Sequence, residues 1–80
     1  MKTVVYTAEA DHFLAHQSPE VAERIETKIE AYALTGQGDV KAMKGSPTLR
    51  LRVGNYRVIF TEDMTVLEVW DIGHRREIYR

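Results

Sequence analysis

Residues 48–61 read Thr-Leu-Arg-Leu-Arg-Val-Gly-Asn-Tyr-Arg-Val-Ile-Phe-Thr, and this stretch decides the fold. Two alternating runs flank Gly54-Asn55, a residue pair typical of a tight hairpin turn with φ > 0. With that turn, Val53 pairs with Tyr56, and six apolar side chains share one face of the hairpin: Leu49, Leu51, Val53, Tyr56, Val58 and Phe60. The stretch therefore predicts an antiparallel hairpin with one face in the core.

Three arginines occupy the other face of this hairpin: Arg50, Arg52 and Arg57. The register puts Arg52 directly across from Arg57, and like charges in that position destabilise a sheet unless something neutralises them. Such a cluster suits a polyanion. The alternative is a solvated outer face with Glu neighbours.

Composition limits the class of protein. The chain has 80 residues and no cysteine, so we expect one small domain over 1–80 without disulfides or a thiolate zinc site. We see no signal peptide and no apolar run long enough to span a membrane. We expect a soluble, cytoplasmic protein without a cofactor, a bound metal or a membrane partner.

The charges are unevenly distributed along the chain. Residues 1–40 hold three Lys or Arg against seven Asp or Glu, whereas residues 41–80 hold eight against five. The basic half contains the hairpin, and this asymmetry indicates an anionic partner. Because the net charge is only −1, the site must be local.

The N-terminal half predicts a strand and two helices. The strand runs from Lys2 to Tyr6, and Thr7 caps a helix over 8–16. Ser18-Pro19-Glu20 is a strong helix start, and Gly36 ends that second helix. Its apolar stripe comprises Val21, Ile25, Ile29 and Tyr32, so we expect the helices to cover one face of a sheet.

After a connector over 37–46, with a short extended piece around 40–43, the hairpin leads into a turn over 62–65 and a strand over 66–72. A loop formed by Asp63-Met64 would place Leu67 opposite Phe60. It would also place Trp70 opposite Arg57, on the arginine face. The tail, 73–80, holds one His, three Arg and one Tyr.

Gly-Asn-Tyr-Arg-Val-Ile-Phe at 54–60 and Ile-Gly-His-Arg-Arg-Glu-Ile-Tyr-Arg at 72–80, in this order of elements, resemble the RelE branch of the RelE/ParE toxin family over essentially the whole chain. The resemblance implies an α+β fold, with two N-terminal helices packed on a twisted antiparallel sheet in β-α-α-β-β-β order. It also implies a toxin of a type II toxin-antitoxin system that cleaves mRNA on the ribosome. Its partners would be the ribosome, mRNA and a cognate antitoxin in a hetero-oligomer.

The resemblance also implies roles for particular residues. RNA cleavage of this type uses the 2′-hydroxyl as nucleophile and needs proton transfer and positive charge at the phosphate. His74 would transfer a proton, and Tyr79 would share that transfer or orient a base. The implied catalytic set is His74, Arg57, Arg75 and Tyr79, and the implied RNA-binding set is Arg50, Arg52, Lys41, Lys44, Arg76 and Trp70.

Two other functions stay open. A ParE-like toxin would inhibit DNA gyrase by binding it without cutting RNA, although the Gly-His-Arg-x-x-x-Tyr tail speaks against that branch. An inactive homologue would bind RNA or antitoxin only. The strand arginines keep this reading open, because they replace lysines of the best-known RelE pattern and arginine is a poor general base. His12 and His16 have the spacing of a helical metal pair but lack a third ligand, so we expect an exposed helix face.

Overall fold

The computed structural model describes residues 1–74, which form two helices and one five-stranded sheet. The helices are α1 (Ala8–Ala15) and α2 (Pro19–Thr35). The strands are β1 (Thr3–Tyr6), β2 (Val40–Ala42), β3 (Leu49–Val53), β4 (Tyr56–Glu62) and β5 (Val66–His74). They lie in the order β1-β5-β4-β3-β2. The predicted α+β class is confirmed.

Both helices begin where the sequence indicates, and α2 ends as predicted, whereas α1 ends at Ala15, one residue before the predicted end. The Thr7 hydroxyl accepts a hydrogen bond from the Ala10 N–H at 3.3 Å, and the Ser18 hydroxyl accepts one from the Val21 N–H at 3.3 Å. These hydroxyls satisfy backbone donors that have no partner within the helix. Gly36 ends α2 in the left-handed conformation, with φ of 76°.

The helices cover one face of the sheet. Ile25 and Ile29 of α2 are fully buried and belong to the same core as Phe60 and Val58 of β4, while Tyr32 lies at the margin of this core. The Tyr32 ring meets the Phe60 ring edge to face, with centroids 5.3 Å apart. The predicted apolar stripe of α2 is therefore the contact between helix and sheet.

The β3–β4 hairpin has the predicted register. Val53 pairs with Tyr56, and Arg52 pairs with Arg57. Gly54 has φ of 60°, and no non-glycine residue within 1–74 has a positive φ, so Asn55 does not share this conformation. Glycine at the first central position with a positive φ is typical of a type II′ turn, which matches the twist of the flanking strands.

The sheet is mixed, whereas the predicted sheet was antiparallel throughout. β1 pairs with β5 in parallel, from Thr3 with Val66 to Tyr6 with Val69, and the other neighbouring strands pair antiparallel. Alternation of side chains looks the same in either strand direction. The sequence pattern of β1 therefore contained no signal for the direction of pairing with a strand 60 residues away.

The β4–β5 register differs from the prediction because four residues, 63–66, separate the last pair of the ladder, Glu62 and Leu67, where the prediction had a two-residue loop. Asp63 Oδ1 accepts hydrogen bonds from the N–H groups of Thr65 and Val66, both at 2.8 Å, and this closes the wider turn. Leu67 consequently pairs with Glu62, not with Phe60.

A β-bulge changes the register again within β5. Val69 pairs with Phe60 and Asp71 pairs with Ile59, so Trp70 is the extra residue. The bulge directs the Ile72 side chain into the core, so Ile72 is only 3% exposed. Together with the wider turn, it places Gly73 opposite Arg57, the position that the prediction gave to Trp70.

Candidate nucleic-acid interface

A small concavity lies on the sheet face away from the helices. Its volume is about 50 Å³. Four cations and one carboxylate line it: Lys41, Arg50, Arg52, Arg57 and Asp39. We call this feature the arginine concavity. Its size and its excess of positive charge suit one phosphate-sized anion.

Three neighbouring strands build the arginine concavity. Arg52 on β3 lies directly opposite Arg57 on β4, as predicted. Arg50 lies between Lys41 on β2 and Ile59 on β4. Because the residues between these cations are apolar and face the helices, alternation along the strands directs the cationic side chains to one surface.

The three arginines differ in burial. Arg57 is only 8% exposed, Arg50 is half-buried and Arg52 is exposed. An arginine keeps its proton when buried, and its attraction to an anion is stronger where water is partly excluded. Gly73, itself buried, lies across from Arg57 and adds no side chain there. Arg57 thus forms the base of the concavity, and Arg52 lies at its exposed rim.

His74 lies on the other sheet face. It pairs with Tyr56, and the two rings meet edge to face with centroids 5.8 Å apart. Tyr56 in turn contacts Phe13 of α1, at 6.0 Å between centroids. The structure therefore does not bring the His74 side chain into the arginine concavity, although Gly73, the preceding residue, is the partner of Arg57.

Trp70 shares the sheet face of the arginines but not the predicted position. It is 46% exposed, and its indole N–H donates to the Thr61 hydroxyl at 2.9 Å. Thr61 lies four residues beyond Arg57 on β4, with Ile59 between them on the same face. Trp70 thus offers an exposed ring on this face, displaced along the strand from the concavity.

The remaining predicted residues divide into two groups. Lys41 lines the concavity, whereas Lys44 is exposed in the connection between β2 and β3 and is not among the residues that line it. Arg75, Arg76 and Tyr79 lie outside the described residues.

Asp39 is a residue of this site that sequence reasoning missed. It lines the arginine concavity, and its carbonyl accepts a hydrogen bond from the Arg52 N–H at 2.9 Å. The backbone contact holds the start of β2 against β3. A signal existed in the sequence, because Asp39 precedes Lys41 by two residues and so shares its face of a strand.

Within residues 1–74, no group of three or more His, Cys, Asp or Glu side chains could hold a metal ion. His12 and His16 lie with ring centroids 4.2 Å apart, and His16 Nδ1 lies 2.8 Å from the His12 carbonyl oxygen. Over the same part of the chain, neither helix has the length and apolar character needed to cross a membrane.

Comparison with known proteins relates this chain to bacterial and archaeal toxins. Residues 6–79 match the family described as the ParE toxin of the type II toxin-antitoxin system, parDE. No curated protein sequence gives a significant match.

Solved structures share the fold. The RelE–RelB pair of Methanococcus jannaschii matches with 26% identity and a TM-score of 0.75, over 94% of each chain. The RelE–RelB complex of Pyrococcus horikoshii OT3 matches with 18% identity and a TM-score of 0.79, over 95% of this chain and 97% of that one. The E. coli RelBE complex matches with 17% identity and a TM-score of 0.70, over 92% and 96%. With its family match over residues 6–79, this chain belongs to the ParE toxin family of type II toxin-antitoxin systems, within the RelE/ParE superfamily.

Proposed function

We propose that this toxin is an endoribonuclease that cleaves mRNA on the ribosome and thereby inhibits translation. The observation that carries this function is the arginine concavity, where three arginines and a lysine converge on a phosphate-sized space. The likeness to RelE of M. jannaschii over 94% of both chains supports the choice of RNA chemistry.

In this mechanism the 2′-hydroxyl attacks the adjacent phosphorus, and the bond from phosphorus to the 5′ oxygen of the next nucleotide breaks. The products are a 2′,3′-cyclic phosphate and a 5′-hydroxyl. Arg57 and Arg52 bind the nonbridging oxygens and stabilise the charge of the pentacoordinate phosphorane, with Arg50 and Lys41 beside them. Trp70 stacks on a base of the same strand, since it shares their face.

Proton transfer falls to His74 in this mechanism. The residue ends β5, directly after the partner of Arg57, so RNA that passes over this end of the sheet comes within reach of both faces. One group must take the proton of the 2′-hydroxyl, and another must supply a proton to the leaving 5′ oxygen. We assign one of these steps to His74, and Tyr79 shares proton transfer or orients a base. Arg75 adds positive charge at the phosphate, and Arg76 and Lys44 are further RNA contacts.

The partners follow from the same function. The M. jannaschii, P. horikoshii and E. coli structures are toxin-antitoxin complexes. We propose that a cognate antitoxin holds this toxin inactive in a hetero-oligomer, and that the toxin acts in the cytoplasm, where ribosomes and mRNA meet.

The test is translation in a cell-free extract, followed by primer-extension mapping of the mRNA. We expect the wild-type protein to cut within the translated region, and His74→Ala and Arg52→Ala to reduce cutting strongly. His16→Ala is the matched control, because His16 is an exposed histidine at the C-terminal cap of α1. Intact mRNA with undiminished translation would reject the nuclease function.

A gyrase inhibitor is the second candidate, and two observations favour it. The family that this chain matches is described as the ParE toxin. The His74 side chain also lies on the sheet face opposite the arginines. In a supercoiling assay with purified DNA gyrase, such a protein should still inhibit after His74→Ala. Inhibition of supercoiling combined with intact mRNA would select this function.

A further inference from the structure

Helix α2 carries its charges on two different sides. Arg24 and Lys28 are four residues apart and are therefore neighbours on one side of the helix. Glu26 and Glu30 lie toward β1, where their charges, after burial as the largest cause, raise the pKa of Tyr6 to about 12. The side of α2 toward β1 thus carries acids, whereas the side of Arg24 and Lys28 carries these two bases together with Glu20, which lines a surface pocket with Arg24.

Arg24 reaches the turn that joins β3 to β4. A Cβ atom placed on Gly54 would lie 3.9 Å from Arg24 Nη1. Arg52 Nε donates to the Gly54 carbonyl at 3.4 Å from within the sheet. The Gly54 turn therefore lies between two guanidinium groups, that of Arg24 in the helix layer and that of Arg52 in the sheet.

Lys28 extends this row of cations along α2. It shares with Arg52 and Gly54 the lining of a groove of about 600 Å³ between α2 and the edge of β3. Arg52 also lines the arginine concavity, so it connects the two spaces. Asp39 is common to both linings as well and is the acidic residue on this route.

The cations that connect the two spaces form no ion pairs with carboxylates of the described residues. Within 1–74, the ion pair is that of Lys2 with Glu62, and Arg24, Lys28 and Arg52 form none. Although Asp39 and Glu20 lie near this row, guanidinium and ammonium groups that form no ion pair attract a polyanion whose charges repeat along its length.

We propose that RNA bound in the arginine concavity continues across the Gly54 turn, and that Arg24 and Lys28 bind its phosphates along α2. This extension rests on the proposed RNA-directed function. Continuity through Arg52 favours one RNA strand over an acidic protein segment. The helix layer thereby adds two phosphate contacts to a site that otherwise belongs to the sheet.

The test compares binding of two single-stranded RNAs whose 2′-hydroxyls are methylated so that they resist cleavage. One has four nucleotides and the other has twelve, and fluorescence anisotropy is measured from 50 to 300 mM salt. For Arg24→Gln with Lys28→Gln, we expect the slope of log K against log salt for the longer RNA to fall by about 1.4, that is, about 0.7 per lost contact. Binding of the four-nucleotide RNA should not change.

Leu34→Glu with Met64→Glu is the matched control. Both side chains are exposed, at 63% and 93%, and this variant lowers the net charge by two, as the test variant does. We expect it to bind both RNAs as the wild type does. An equal loss in control and test variants would overturn the inference, because the effect would then reflect net charge alone.

Three further outcomes also overturn it. The first is that the double variant keeps the wild-type slope of log K against log salt on the longer RNA. That result would show that Arg24 and Lys28 make no contact with RNA, and it would leave the RNA-directed function standing. Tighter binding of a polyglutamate peptide than of RNA, lost in the double variant, would assign the row to an acidic protein partner. If the wild type binds neither RNA, the proposed function fails first, and the extension fails with it.

Discussion

Replacement of Arg52 by Glu should make the free protein more stable, and it should abolish the RNA binding that we propose. Arg52 and Arg57 are directly opposite each other, so their charges repel across the β3–β4 ladder. At a separation of roughly 6 Å, two unit charges interact by about 0.7 kcal/mol in water and by about 3 kcal/mol at an effective dielectric constant near 20. Arg52 is exposed, so the lower figure applies.

Exchange of this repulsion for an attraction should raise the free energy of unfolding by about 1 kcal/mol, or the melting temperature by about 4–8 °C. Arg52→Gln should give about half of that gain. Thermal unfolding followed by circular dichroism at 50 mM and 500 mM salt provides the measurement, and the gain should shrink at the higher salt because exposed charges are screened.

Lys44→Glu is the control, since it makes the same change of net charge outside the concavity. If Arg52→Glu melts at or below the temperature of Lys44→Glu, the arginine cluster is already neutralised within the free protein. The physical reason for expecting an anion there would then be gone.

Three further predictions concern the framework of the site. Tyr32→Phe removes a hydrogen bond of 2.6 Å to Glu62 and should cost about 1–2 kcal/mol of unfolding free energy, measured by urea denaturation; no loss would mean that solvent replaces this bond. Burial raises the pKa of Glu62, but hydrogen bonds from Lys2 and Tyr32 and the Lys2 charge outweigh it, so the pKa is lowered from 4.5. Ionised Glu62 therefore stabilises the fold above the unfolded-state pKa, and this stabilisation is lost as pH falls through the lower folded-state pKa. Unfolding titrations between pH 7 and 3 should show that the free energy of unfolding falls less steeply in Glu62→Gln than in the wild type. Equal slopes would contradict this. Gly54→Ala should cost about 1–2 kcal/mol because φ is 60° there, whereas Asn55→Ala, without a positive φ, should cost much less; equal costs would argue against the turn geometry.

The β3–β4 hairpin was predictable because every signal it needs is local. Gly54-Asn55 defines the loop length, and strict alternation then determines which residues of the two strands face each other. The opposition of Arg52 and Arg57 followed directly from these two features. The helix starts at Thr7 and Ser18 were predictable for the same reason, since a cap acts on N–H groups only two or three residues away.

The β4–β5 pairing was not predictable because it depends on two features without an unambiguous signal. The Asp63 carboxylate closes a wider turn, whereas Asp63-Met64 is not a favoured pair for the two-residue turn that was predicted and so does not define the loop length. The bulge at Trp70 is selected by packing, because it lets Val69 and Ile72 both face the helices. The wider turn shifts the pairing by two residues and the bulge by one, and together they put Gly73 in place of Trp70 opposite Arg57. The single residue added by the bulge also moves His74 to the other sheet face.

The composition of the arginine concavity depends on sheet order as well as on the hairpin. β2 pairs with the edge of β3, and this pairing brings Lys41 beside Arg50 and Asp39 beside Arg52. Arg24 is about 30 positions before the Gly54 turn in sequence and meets it only because α2 packs over the sheet. Residues contributed by distant elements become visible only when the arrangement of those elements is known.

The same hairpin both holds the core and concentrates charge. Leu51, Val58 and Phe60 are almost fully buried on one face, directly behind the cations of the other face. Burial of three such side chains contributes several kcal/mol, whereas the cross-strand repulsion of two arginines costs about 1 kcal/mol. The hydrophobic face can therefore hold like charges in a fixed array that they would not adopt alone. An anion that enters the array finds its binding groups already ordered, and it also removes their repulsion, so binding and folding stability must rise together.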